Sequence, residues 1–300
     1  MAAAGSETGG ASGGKRESPG LIQPADWLVM AGLCGVYAPA ILAMSEVWSR
    51  YDYYSHGYLV PLVALWAASG QRAVLPTLPV RREPRALLVL GLALLVYLVG
   101  IAASIVSLQG LSFVVAVGAV VTLLKGVAWL RALLFPISYL IFMVPIPDPL
   151  LTPMITRLQM WVSLAGIGVL RFFNVPVYRE GNVFELPGGD ELFVAEACSG
   201  ITSVVTLIPL AVFLAYFTER LLWRRMLLVL AVLPLAFAGN LLRVLITVLV
   251  AGRWGSEVAA KGAAHEWTGI ATYILGCLAL LGVRAAMQWL VPERVASQTA

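Results

Sequence analysis

A chain of 300 residues in which 60% are hydrophobic and only 12% charged is too apolar for a water-soluble domain, where about a quarter of residues carry charge. The mean hydropathy of +0.88 and the small net charge of +4 point to a polytopic membrane protein and away from nucleic-acid binding. Three cysteines cannot all pair within the chain, and two histidines with scattered carboxylates show no metal-ligand spacing, so neither metal nor cofactor is expected.

Residues 1–26 are Gly, Ala and Ser with a few charges and read as a disordered cytoplasmic tail. The first apolar run, Trp27 to Val47, lacks a convincing cleavage site and reads as a retained helix. An aromatic stretch around Tyr54-Ser-His-Gly57 follows, of the kind that sits at a membrane interface, and a shorter apolar run covers residues 57–69. Arg81, Arg82 and Arg85 make the densest basic loop. The positive-inside rule places it in the cytoplasm, with the N-terminus inside and His56 outside. A third span covers residues 86–106, and a link at Ser107–Gly110 leads into a fourth, residues 111–124, ending at Lys125. The fifth, residues 132–144, stops at Pro145-Ile-Pro147-Asp-Pro149.

Residues 152–173 are apolar enough to cross. A crossing there would put Arg220, Arg224 and Arg225 outside, and Arg157, Gln159 and Arg171 make the segment amphipathic, so it is read as lying in the outer interface. Residues 175–196 alternate and turn like a small β-hairpin on the outer face. Spans six to eight are residues 199–217, 226–250 and 267–287. The expected fold is thus all-α and polytopic, with about eight transmembrane helices, an interfacial amphipathic helix and the hairpin. Its parts are one membrane domain over 27–290 and a cytoplasmic tail over 291–300.

Arg243 lies 18 residues past Arg225, about 27 Å of helical rise, and so near the outer surface. Cys198 and His265 stand at the outer starts of the sixth and eighth spans. The trio suits acyl transfer: His265 deprotonates the Cys198 thiol, and Arg243 stabilises the oxyanion. Each residue also has a plainer reading. A cysteine in an apolar protein is usually an inert core thiol, as Cys34 and Cys277 are expected to be. Arg243 would snorkel to headgroups, although an ionisable residue inside an apolar run, with Asn240 one turn earlier, is a functional candidate by default. His56 competes with His265 as base, and Glu196 and Ser199 flank the thiol. A serine protease using Ser199 and His265 is the weaker alternative, because a thiol is the better nucleophile at neutral pH.

The segment Glu196-Ala-Cys-Ser-Gly-Ile201, followed by Asn240-Leu-Leu-Arg-Val244 and then His265, resembles the exosortase/archaeosortase family. The likeness extends back to Tyr54-Ser-His-Gly57, Phe142-Met-Val-Pro-Ile-Pro147 and Val177-Tyr-Arg-Glu-Gly181. It implies an integral membrane cysteine protease or transpeptidase whose active residues map onto Cys198, Arg243 and His265. Its substrates would be exported proteins with a C-terminal sorting tail of Pro-Glu-Pro type: a short motif, a hydrophobic helix and a basic cluster. It further implies a site on the periplasmic face of the bacterial inner membrane, an acyl acceptor still to be identified, and an association with exopolysaccharide synthesis. The alternative from another class is a non-catalytic transporter or assembly component of polysaccharide export, with Arg243 as an anion site.

Overall fold

The computed structural model describes residues 24–181, 183–185, 191–193, 201–255, 258–259 and 263–291, with the backbone alone for 25, 191–193 and 263–266. The expected tails therefore lie mostly outside the described residues. The N-terminal boundary moves, however, because residues 24–26 already belong to the first helix, α1 (Pro24–Arg50). The reason is an ion pair: Asp26 is buried and meets Lys125 Nζ at 2.6 Å, which fixes the helix start against a distant element.

The described part is mostly helical. Six helices are long and apolar enough to cross a membrane: 26–50, 106–125, 148–172, 201–218, 222–254 and 267–290. After α1 a 3₁₀ turn, Asp52–Tyr58, leads into α2 (Leu59–Ser69). α3 (Ala86–Ala102) and α4 (Val106–Lys125) form a close antiparallel pair. Their reversal is tighter than expected. Ser104 takes a left-handed φ of 56°, so residues 107–110 fall inside α4 instead of linking the helices. Gln109 Nε2 donates to Gly100 O at 3.1 Å, and a Cβ on Gly100 would lie 2.9 Å from the Gln109 side chain, so only glycine permits that approach.

The expected fifth span is broken into α5 (Val127–Ala132), α6 (Leu134–Tyr139) and a 3₁₀ turn, Leu140–Met143. Pro136 supplies the cause, because it has no N–H for the Ala132 carbonyl.

These elements run between two tied ends. At one end Arg81 N–H donates to Lys125 O at 3.2 Å, beside the Asp26–Lys125 pair. At the other, Trp48 Nε1 donates to Met143 O at 2.8 Å, and Ile146 N–H donates to the Tyr54 hydroxyl at 2.8 Å. Gly126 makes the first end compact. Its φ is 98°, and a Cβ would stand 2.3 Å from Arg81 O. Gly126→Ala is expected to cost about 1–3 kcal/mol of stability, read as a lower unfolding midpoint in detergent.

α7 (Asp148–Phe172), the segment expected in the interface, is a single 25-residue helix. Its start packs with one group and its second half with another. Leu151 joins Trp48, Tyr54, Met143 and Ile201, while Val162, Ile167 and Leu170 join Val244, Val248 and Ala251. The expected hairpin is a three-stranded antiparallel sheet: β1 (Tyr178–Glu180), β2 (Val183–Glu185) and β3 (Glu191–Phe193), paired in that order. Glu180 pairs with Val183 across a two-residue turn that opens on Gly181, φ 59°. Phe184, fully buried, anchors the sheet on α7.

The last part holds α8 (Ile201–Thr218), α9 (Leu222–Leu230), α10 (Val232–Trp254) and α11 (Ala263–Leu290). α9 and α10 are nearly continuous. The step at Ala231 follows from Pro234, which offers no N–H to Leu230 O. Cys34, expected in the core, is exposed on α1, and Cys277 is half-buried.

Candidate functional site

One carboxylate fixes the common base of three helices. Glu219, just past α8, is 2% exposed, and its Oε1 accepts from Arg284 Nε of α11 at 3.2 Å. Arg224 Nη1 of α9 stands 3.6 Å from Oε2, and Arg225 Nε donates to the Glu219 carbonyl at 2.8 Å. Arg224, 1% exposed, also donates to Val291 O beyond the end of α11. The Arg225 guanidinium rests over the Tyr216 ring, which stacks on Phe135 at 3.5 Å. Such a buried cluster favours one register of α8, α9 and α11 over others, since sliding any of them separates charges out of water.

Counting upward from that base gives the levels of the candidate residues. Ile201 lies 18 residues before Glu219, Arg243 lies 18 residues after Arg225, and His265 lies 19 residues before Arg284. Each distance is about 27–29 Å of helical rise.

Arg243 is half-buried on α10. A Cβ on Gly269 of α11 would lie 3.2 Å from Arg243 Nη2 and 3.4 Å from Cζ, so the guanidinium lies against the bare backbone of α11. Gly269 is one turn, four residues, after His265. This glycine escaped the sequence reading. A glycine has no side chain to signal a role, and only its spacing from His265 marked it.

The helices around Arg243 carry a seam of buried polar groups. Asn240, the expected supporting residue, is 2% exposed and sits one turn before Arg243 on α10. Thr247 donates to the Arg243 carbonyl at 2.8 Å. Thr272 on α11 donates to Thr268 O and Gly269 O at 2.7 and 3.0 Å, which keeps its hydroxyl satisfied beside that guanidinium level. Gln159 and Ser163, both buried, belong to α7, which packs on α10. In the sequence Gln159 stands as part of an amphipathic surface, and Ser163 carries no signal of its own.

His56 lies apart, in the 3₁₀ turn after α1, with Nε2 3.2 Å from the Phe142 carbonyl. That contact requires an N–H at Nε2. Burial pushes the ring below the usual histidine range, and the carbonyls of Phe142 and Tyr53 push it partly back. Burial thus disfavours the charged ring, and the Nε2 contact ties the turn to Leu140–Met143. His56 also lines an apolar cavity of about 520 Å³ bounded by α4, residues 141–147 and the start of α8.

Cys198, Glu196 and Ser199 lie outside the described residues. The helical backbone at His265 is described and its side chain is not. Among the described residues no group of three His, Cys, Asp or Glu is placed to hold a metal ion.

The family model for the transmembrane exosortase matches residues 48–282. No curated protein and no solved structure shows significant similarity to the chain. The matched span runs from the end of α1 to residue 282 of α11 and takes in Arg243, Gly269, Glu219 and Arg224. On that match over more than three quarters of its length, the chain is a multi-pass membrane protein that belongs to the transmembrane exosortase family.

Proposed function

We propose that the protein is a cysteine transpeptidase or protease of the bacterial inner membrane, cleaving the C-terminal sorting tail of exported proteins on the outer face. The observation that carries this reading is the Arg243 guanidinium set against Gly269, one helical turn from His265, at the height above Glu219 that α8 also reaches at Ile201. Cys198 is three residues before Ile201.

The chemistry follows from these roles. His265 takes the proton of the Cys198 thiol, and the thiolate attacks the scissile carbonyl carbon. The carbonyl oxygen becomes an oxyanion beside Arg243, whose fixed charge and donors stabilise it. Collapse breaks the C–N bond. The leaving amine takes the proton from His265, and a thioester remains on Cys198. An acceptor nucleophile then attacks that thioester, gives its proton to His265 and releases the thiolate. Asn240 holds the Arg243 level of α10, Glu196 and Ser199 shape the approach to the thiol, and His56 acts through its tie to Phe142 rather than as the base.

The topology that serves this chemistry has eight crossings and both ends in the cytoplasm. Residues 59–81 and 127–143 cross as a short helix with turns and as broken helices. α7 stays outside, which its packing supports. Leu151 shares a buried cluster with Ile201 at the start of α8, and Leu170 shares one with Val248 and Ala251, beyond Arg243 on α10. A crossing α7 would carry its second half to the Glu219 level instead.

A membrane-impermeant maleimide applied to intact spheroplasts tests the reading. Labelling is expected in the wild type, to be lost in Cys198→Ala and reduced in His265→Ala, while Cys198→Ala accumulates normally and leaves the tail uncleaved. Labelling only after the inner face is opened overturns the outer site. Normal tail processing by Cys198→Ala overturns the thiol mechanism.

A further inference from the structure

We infer that the apolar cavity below Tyr54 seats the first apolar residues of the sorting tail as it leaves the bilayer, and that Val205 and Ile208 set which tails fit. This inference rests on the proposed peptidase reading and adds a binding subsite to it. The cavity, about 520 Å³, lies within the usual range for a ligand pocket. Its inner wall is one face of α8, from Ile201 through Val205 to Ile208, about 10 Å of rise. Ile201 is fully buried there, while Leu111, Ile141 and Met154 on the rim are exposed. The cavity therefore opens sideways between the exposed apolar side chains of Leu111, Ile141 and Met154.

The upper end of the cavity decides the occupant. Tyr54, Ser107, Pro145, Ile146 and Pro147 are shared with a second recess of about 440 Å³ that carries Glu46, Arg50 and Asp148. With that shared lining the two make one cleft, apolar along about 10 Å of α8 and charged beyond it. A ligand lying along it is apolar for about two helical turns and then polar. A peptide emerging from a membrane has that order. In the recess Glu46 and Asp148 can accept from peptide N–H groups, which an anionic phosphate headgroup lacks, while Arg50 can meet the glutamate of a Pro-Glu-Pro segment. The apolar part starts at Ile201, three residues from Cys198, so its occupant would enter beside the thiol. The upper end is tied in place, because Tyr54 receives the Ile146 N–H at 2.8 Å and Trp48 donates to Met143 O. A preformed pocket of this kind discriminates by volume.

The test uses the full-length protein in membranes, with a reporter ending in a Pro-Glu-Pro tail, apolar helix and basic cluster as substrate. Val205→Trp and Ile208→Trp fill the cavity from its inner wall, and Leu278→Trp on the lipid side of α11, 58% exposed, is the control. Each cavity variant is expected to lower processing at least about tenfold, mainly through KM, with maleimide labelling of Cys198 unchanged. A photoreactive phenylalanine analogue at position 111, in the Cys198→Ala background, is expected to crosslink the tail of the bound reporter. That crosslink does not depend on how well the tryptophan variants fold. Unchanged processing in both tryptophan variants, or crosslinks to phospholipid alone, overturns the inference and leaves the thiol mechanism standing. Processing that survives Cys198→Ala sinks the peptidase reading beneath it.

Discussion

Arg243→Lys is expected to lower tail processing by about 10²–10³-fold while the protein accumulates and Cys198 still reacts with maleimide. The size follows from what is exchanged. A guanidinium presents a planar fork of donors with a fixed charge, and it lies on the bare backbone at Gly269, with Nη2 3.2 Å from where a Cβ there would stand. A lysine ammonium is compact and strongly hydrated, with no planar face to lay against that backbone. It keeps the charge and loses the aim. The competing account, a guanidinium that merely snorkels to headgroups, is served equally well by lysine. Full activity in Arg243→Lys therefore reduces Arg243 to an anchor. Gly269→Ala supplies the complementary variant. It leaves the guanidinium intact and displaces it by a few tenths of an ångström, so processing is expected to fall about tenfold, with kcat affected more than KM. A charge that needs no particular position predicts no change from that methyl group.

The difference between what the sequence disclosed and what it hid is physical. The height of Arg243 above Arg225 was readable because helical rise is constant and both residues lie on the nearly continuous α9 and α10. The orientation proposed from the basic loop at Arg81–Arg85 rests on composition alone. The break in the fifth span was not, since hydropathy stays high through Pro136 and only the missing N–H interrupts the helix. The Asp26–Lys125 pair joins residues a hundred positions apart, and nothing local to Asp26 separates it from the Gly/Ala/Ser tail before it. The third strand was hidden because Glu191–Phe193 is too short to show alternation. Glu219 was passed over as one charge in a basic loop. Its partner Arg284 lies 65 residues on, and pairing at that separation leaves no periodic trace. The seam of Gln159, Ser163, Asn240 and Thr272 was equally silent, because buried polar residues in an apolar helix look like noise until the facing helix is known.

Glu219→Ala is expected to be the most destabilising single change in the membrane domain, by about 3–5 kcal/mol, seen as a lower unfolding midpoint in detergent and reduced accumulation. The argument is one of desolvation. Arg224 and Glu219 are 1% and 2% exposed, and the carboxylate stands between Arg224 at 3.6 Å and Arg284 at 3.2 Å. Removing it leaves two guanidiniums facing one another with no carboxylate between them. Arg284, with 30% of its side chain exposed, can turn to the headgroups, whereas Arg224 cannot. Glu219→Ala combined with Arg224→Met is therefore expected to recover much of the lost midpoint, because an apolar side chain needs no carboxylate there. The double variant also separates stability from function. If the Glu219 cluster fixes the heights of α8, α10 and α11, the recovered protein stays folded while the Ile201, Arg243 and His265 levels drift by fractions of a turn. Maleimide labelling of Cys198 then persists, and its dependence on His265 weakens. A Glu219→Ala protein with an unchanged midpoint would show that the three helices are held by the apolar packing of Leu207, Leu228, Val232 and Leu280 alone, with the charges as passengers at the membrane edge.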